Sequence, residues 1–371
     1  MTTDTVKFFE HELPGEWRLG EARLDSEATL NALSLEMIDL LRPALDGWAA
    51  DDRMAAVVLT GAGRAFSAGG DIQALYRAMA ANHQAGERVD DYPYDFFERE
   101  YRLDYQLHTY AKPIIALGHG VIMGGGLGLF GASDFRVVTE NVRIALPEVT
   151  IGLFPDAGGT WLLKNLPEHQ ALFMGMTGAH LNGGDALSMG IGTHAVAAGE
   201  LDALLESLKA LAFSGDRAAD WDAIDACITD HRTSALPAPE IGAVADNLGA
   251  DLSTQEAAAA IKAMAGASGW VDKAIVAMER GCPTTVGIVV EQVRRARSLD
   301  LADCFRMEMT VATHCADNHD FSEGVRALLI EKDNAPSWQF GDLESLPHGY
   351  VTDHFVEPWP RNPLFDLESS T

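Results

Sequence analysis

Cysteine is scarce in this chain: Cys227, Cys282, Cys304 and Cys315 are the four in 371 residues, and none forms a C-x-x-C pair. That spacing excludes a disulfide scaffold and a zinc ribbon, and it suits a reducing compartment, so the expected location is cytoplasmic. The first residues, MTTDTVKFFEHELPGEW, carry acids and no apolar run, and no targeting segment is expected there. No stretch approaches the roughly 18 uninterrupted apolar residues of a membrane-spanning helix, so no membrane partner is expected. Positive charge is also short, with 27 Lys and Arg against 55 Asp and Glu, a formal charge of −28. Such a chain repels polyanions, which excludes nucleic acid as an expected partner; an anionic ligand needs a locally basic entrance. Internal repeats and low-complexity linkers are missing as well.

What is present is ordinary globular composition, 47% hydrophobic and 22% charged, in a chain long enough to bury a large core. Residues 16–26 read as a short strand pair around Gly20. From Ser34, a plausible N-cap, Leu35, Ile38, Leu41, Leu45 and Trp48 fall on one helical face, with Pro43 as a candidate kink. AAVVLTGAG (55–63), PIIALGHGVIM (113–123) and FRVVTE (135–140) read as buried strands, and 72–110 as helix interrupted around Gly86–Pro93. Alternation of strand and helix implies an α/β architecture to about residue 200, followed by a helical region and a Pro-rich tail.

Three Gly-rich turns each follow an apolar strand: GAGRAFSAGGD (61–71), MGGGLG (123–128) and FPDAGGT (154–160). Glycine lets backbone N–H groups approach a ligand closely, and two such turns facing one another can offer two donors to one oxygen, an oxyanion hole. The same glycines also serve tight turns and close helix packing. Gly126, Gly128 and Gly131 match G-x-G-x-x-G, but Glu140 lies only 14 residues on, against about 20 for a dinucleotide site. Ser67 lies in AFSAG, which lacks the first glycine of a nucleophile elbow. His314, Cys315 and His319 form H-C-x-x-x-H without a further close ligand, so no metal is expected. The stronger candidates are acids. Glu148 is embedded in LPEVTIGLF, where a carboxylate either pairs with a buried polar group or acts with raised proton affinity. Asp156 opens a Gly-rich turn, where capping is its alternative role. Glu100 falls in FFEREYRLDY, on a helix that could equally present it to solvent.

Together LNALSLEMI (30–38), VVLTGAGRAFSAGGDI (57–72), KPIIALGHGVIMGGG (112–126), PEVTIGLFPDAGGT (147–160) and MTGAHLNGGDALSMGI (176–191) resemble the enoyl-CoA hydratase/isomerase (crotonase) superfamily. The FPDxGG turn, FFxxEY (96–101) and DFxEGVRALLIxKD (320–333) resemble most its 3-hydroxyisobutyryl-CoA hydrolases. The resemblance implies a spiral of ββα turns over 1–200, a helical region over 201–345 and a tail over 346–371. It implies oxyanion donors at the Ala68 and Gly125 amides, catalytic Glu148 and Asp156, and a substrate pocket reached by Glu100 and Gly125. CoA is implied along Ser67, Ala68, Gly70 and Asp71, with Lys332 contributing. In the hydratase branch a second carboxylate stands two residues after the GGG turn; that position is Gly128 here. The implied activity is therefore hydrolysis of a 3-hydroxyacyl-CoA in valine breakdown, with no cofactor, CoA being part of the substrate. An isomerase or hydratase of the superfamily and a non-catalytic CoA-binding protein are the alternatives, and a homo-oligomer is left open.

Overall fold

The computed structural model describes residues 5–368. The chain groups into two compact units, each built from three segments. The first takes residues 1–70, 106–144 and 181–240, and the second takes 71–105, 145–180 and 241–371. A contiguous division at residue 200 is therefore not how the contacts group.

The first unit is sheet-based. Strands are numbered along the chain: β1 Val6–Glu12, β2 Arg18–Leu24, β3 Met54–Gly61, β4 Ala65–Ser67, β5 Ile114–Leu117, β6 Val121–Met123, β7 Phe135–Val138, β8 Arg143–Ala145 and β9 His194–Ala195. One sheet runs β1-β2-β3-β5-β7-β9 and a smaller one runs β4-β6-β8. The edge pair β1–β2 is antiparallel, and β2 to β9 run parallel. Near-continuous apolar runs such as AAVVL suit a parallel strand covered on both faces. On one face Leu19, Val58, Ile115, Leu117 and Val137 form a core with Leu204, Leu208, Ile224 and Ile228 from the Leu201–Lys209 and Arg217–Asp230 helices.

The helix Leu35–Ala50 forms as its periodicity indicates, capped by Ser34 accepting from the Met37 N–H, and it runs through Pro43. Two strand expectations need correcting. Gly20 is not a turn but the middle of β2, where a Cβ would come 2.8 Å from the Trp48 ring. The partner of β2 is β1, upstream. The apolar run 113–123 is two strands in different sheets, broken at Gly118–Gly120; Gly120 has φ +57, and its absent Cβ would sit 1.9 Å from the Arg64 carbonyl. The long 72–110 segment splits into Ile72–Ala85 and Tyr92–His108, with Gly86 closing the first at φ 71.

The second unit is mainly helical. Its centre is the helix Pro283–Ala296, buried along nearly its whole length. Helix Glu168–Thr177 packs against it closely because Gly175 has no Cβ to meet Val289, which would lie 2.7 Å away. Residues 149–155 are pinned to this region: Cys282 N–H donates to Val149 O (2.8 Å), Thr285 Oγ1 to Leu153 O (2.6 Å) and Gln292 Nε2 to Pro155 O (2.6 Å). The tail fastens to the same unit, with Arg102 on Asp366 (2.9 Å) and Tyr105 on the Glu368 carbonyl (2.5 Å).

The helix Gly125–Gly131 gives an internal control for these close approaches. A Cβ at Gly126 would meet Ser67 O, Cβ and Oγ at 2.5–2.7 Å, whereas one at Gly131 meets nothing within 4 Å. Gly126→Ala is expected to lower stability by about 1–3 kcal/mol through overpacking. Gly131→Ala is expected to be neutral or to stabilise by up to about 1 kcal/mol through helix propensity. Urea unfolding of both variants checks the contrast; equal effects would contradict the packing shown.

Candidate active site

In the first unit the turn after β4 and the turn after β6 lie side by side. Gly69, at φ +106, sits so that a Cβ would be 3.1 Å from Met123 O and 3.7 Å from Gly125 N. The Gly125 amide heads the helix Gly125–Gly131, where first-turn N–H groups have no acceptor within the helix. The Ala68 amide is different: it donates to Leu30 O at 3.0 Å, so it is already spent within the fold. The implied assignment of Ala68 as an oxyanion donor is therefore corrected, and the amide that follows the Gly69 reversal is that of Gly70. Ser67 is corrected too. Fully buried, it donates its hydroxyl to Asn31 O at 2.8 Å, so that hydroxyl is spent on holding the turn. Asp71 caps the next helix, accepting from the Ala74 N–H at 3.1 Å. Lys332 is exposed and left-handed at φ 58, just after the Arg326–Ile330 turn.

The acids gather in the second unit. Glu148 lies in the short turn Pro147–Thr150, Asp156 at the head of the Gly-rich turn, and Glu100 on the Tyr92–His108 helix. All three are buried, at 3%, 6% and 3% exposure. Two more acids share the cluster: Asp104, one helical turn beyond Glu100, and Glu308 on the helix Leu301–Asp317, both at 0%. Glu100 Oε1, Glu148 Oε2 and both Asp104 carboxyl oxygens have no hydrogen-bond partner among the described residues. Tyr101 donates its hydroxyl to Asp156 Oδ2 at 2.7 Å. Glu308 accepts the Gly158 N–H at 2.9 Å and the Thr160 N–H at 2.7 Å.

Burial penalises the charged form of a carboxyl, and so does a second negative charge nearby. Burial pushes Asp156 up to about 7, opposed by the Tyr101 hydroxyl and the residue's own amide. Glu308 is pushed up to about 8 by burial, opposed by the Gly158 and Thr160 groups that bond it. Glu148 is raised well above the ordinary carboxyl range by burial and then by Asp156. Glu100 is raised by burial and then by Asp156, Glu308 and Glu148; Asp104 by burial and then by Glu100, Glu308 and Asp156. The set therefore holds protons more tightly than exposed carboxyls do.

The structure brings Glu100, Glu148 and Asp156 into one cluster, and with them Tyr101, Asp104 and Glu308. Their signal was in the helical spacing. Glu100 and Asp104 fall on the face that buries Phe96, Phe97, Tyr101 and Leu107, and Glu308 on the face that buries Phe305, Met309 and Ala312.

The sequence profile of the enoyl-CoA hydratase/isomerase family matches residues 19–355, and the chain belongs to that family. Among known proteins it is 33% identical to the mitochondrial 3-hydroxyisobutyryl-CoA hydrolase of Xenopus tropicalis, over 96% of this chain and 91% of that one. It is 33% identical to 3-hydroxyisobutyryl-CoA hydrolase 1 of Arabidopsis thaliana, over 90% and 87%. A carnitinyl-CoA dehydratase from Mycobacterium thermoresistibile superposes with TM-score 0.83 at 29% identity, over 99% of this chain and 100% of that one. An enoyl-CoA hydratase from Rhodobacter sphaeroides superposes with TM-score 0.78 at 29% identity, over 95% and 98%. The fold is the crotonase fold with a helical C-terminal region. No described helix is long and apolar enough to cross a membrane.

Acids with raised folded-state affinity make stability fall as pH rises. Asp104, Asp156 and Glu308 keep protons in the folded chain that the unfolded chain releases above about pH 4. Because the native state binds more protons, the unfolding free energy decreases from there toward about pH 8. Asp104→Asn, which is neutral at every pH, is expected to raise the melting temperature relative to the parent near pH 8, with the gain shrinking near pH 4.5. Calorimetry at the two pH values checks this; a larger gain in acid would reverse the sign and refute a protonated Asp104.

Proposed function

We propose that this chain hydrolyses a 3-hydroxyacyl-CoA thioester, favouring 3-hydroxyisobutyryl-CoA and releasing 3-hydroxyisobutyrate and CoA, a step in valine breakdown. One observation carries this reading. Glu100, Glu148 and Asp156 meet as buried carboxyls, while position 128, where the hydratase branch places a carboxylate, is a glycine of the Gly125–Gly131 helix. The names of the relatives above support it.

The bond that breaks is C–S, and the one that forms joins the acyl carbon to an oxygen of water. Ionised Glu148 either takes the proton of the attacking water or attacks the carbonyl itself, giving an anhydride that water opens. Negative charge develops on the carbonyl oxygen, where backbone N–H donors stabilise it. Such a donor is typically worth about 3–4 kcal/mol in kcat. Asp156, titrating near neutrality, accepts from the 3-hydroxyl or returns a proton to the departing thiolate. Glu100 lines the acyl pocket. The CoA moiety follows the 64–70 turn through a backbone contact at Gly70. No cofactor enters this scheme.

Free-thiol release from 3-hydroxyisobutyryl-CoA, with crotonyl-CoA hydration followed in parallel, tests the proposal. The expected result is thiol release without hydration, and a loss of about 100-fold or more in Glu148→Gln with CoA binding retained. Hydration without thiol release would replace this reading with a one-acid hydratase. Tight CoA binding with no turnover of any acyl-CoA would replace it with a binding protein.

A further inference from the structure

Asp156 sits on backbone that requires support. The two residues after it, Ala157 and Gly158, are both left-handed, at φ 53 and 82, and the first is not glycine. Three buried side chains hold this turn. Glu308 binds the Gly158 and Thr160 N–H groups with its two carboxyl oxygens, at 2.9 and 2.7 Å. Gln292 Nε2 donates to Pro155 O at 2.6 Å and to Thr160 Oγ1 at 2.7 Å. The Tyr101 hydroxyl donates to Asp156 Oδ2 at 2.7 Å. That hydroxyl is itself fixed, because the Tyr101 ring is fully buried, with its centroid 5.8 Å from that of Phe97 and 6.2 Å from that of Phe305.

We propose that Tyr101 and Glu308 are positioning residues for the hydrolysis: Tyr101 orients the Asp156 carboxyl and favours its charged form, and Glu308 holds the turn that carries it. This rests on the hydrolase reading above. A hydroxyl donated to a carboxylate oxygen is a charge-assisted bond, stronger than a neutral one, and it selects the ionised state. Against it stand burial and the other groups that face the cluster: Glu100 and Asp104 on the Tyr92–His108 helix, Glu148 in its turn, and Glu308 and Cys315 on the Leu301–Asp317 helix. Tyr101 thus opposes an environment that favours the protonated form of Asp156.

The test compares the parent, Tyr101→Phe, Glu308→Gln, Asp156→Asn and the Tyr101→Phe/Asp156→Asn double variant. Thiol release by the parent tests the hydrolase reading alone. For this inference, Tyr101→Phe is expected to lose about 10-fold or more in kcat with KM changed less than about 2-fold. The limb of its pH profile that Asp156→Asn abolishes is expected to move up by about one pH unit, whichever protonation state is the active one. The double variant is expected to turn over no more slowly than Asp156→Asn, since Tyr101 acts only through that carboxyl. Glu308→Gln keeps one acceptor oxygen for two amides, so kcat is expected to fall while the protein still melts cooperatively. Carbon-13 NMR titration of the Asp156 carboxyl in parent and Tyr101→Phe gives the same upward shift without any turnover. An unmoved titration, or losses that multiply in the double variant, would overturn the proposal.

Discussion

The burial of five carboxyls in one small volume is the constraint that the second unit is built around. Glu100, Asp104, Glu148, Asp156 and Glu308 are each at most 6% exposed. Ionising all of them there would cost far more than a marginally stable fold can supply. Two devices make the cluster tolerable. Burial and mutual repulsion raise the proton affinities of its members, so less charge has to be carried. Donors of fixed geometry then stabilise the charge that remains: the Tyr101 hydroxyl at Asp156 and the Gly158 and Thr160 amides at Glu308. The second unit is closely packed elsewhere as well. Gly152 and Gly324 show how close, since a Cβ on either would come within 2.5 Å of the backbone of Asp320 or Ile151.

Glycine does related work in the first unit, with peptide dipoles in place of side chains. The reversal at Gly69, with φ +106, brings the turn after β4 against the turn after β6. Which amides such a turn can lend depends on which are already bonded. Ala68 satisfies Leu30, and Ser67 spends its hydroxyl on Asn31. A residue inside a signature motif is therefore not automatically a residue facing the ligand; buried hydrogen-bonding groups must be satisfied first, and the remainder are free for function.

Much of the architecture was legible in the sequence. The Ser34 cap, the break at Gly86, the parallel strand over 55–61 and the helical stretch after 200 all follow from local rules that act over a few residues. The failures share a cause. Gly20 is a glycine because Trp48, 28 residues later, fills the space its side chain would need. The run 113–123 breaks because Gly120 must pass the Arg64 carbonyl. Asp104 and Glu308 stand at core-facing positions of their helices, where an acid contradicts the usual reading of periodicity. Long-range contacts decided the two glycine positions, and nothing adjacent in the chain reports them.

That contradiction is itself informative. A buried acid without a cation is costly, and Glu148 and Asp104 each leave oxygens without a partner among the described residues. Stability alone would favour apolar side chains of similar size at such positions. Their presence is intelligible if the chemistry needs proton affinities that water-exposed carboxyls lack. A base must hold a proton tightly enough to take it from water, yet be ionised often enough to act, and both conditions meet when its affinity lies near the working pH. An exposed glutamate titrates about three units too low for that. Burial raises the affinity of Glu148, and the Tyr101 bond limits the same rise at Asp156. Asp156 thus has a hydroxyl donor that Glu148 Oε2 lacks among the described residues, and two carboxyls of similar chemistry are pushed apart in proton affinity.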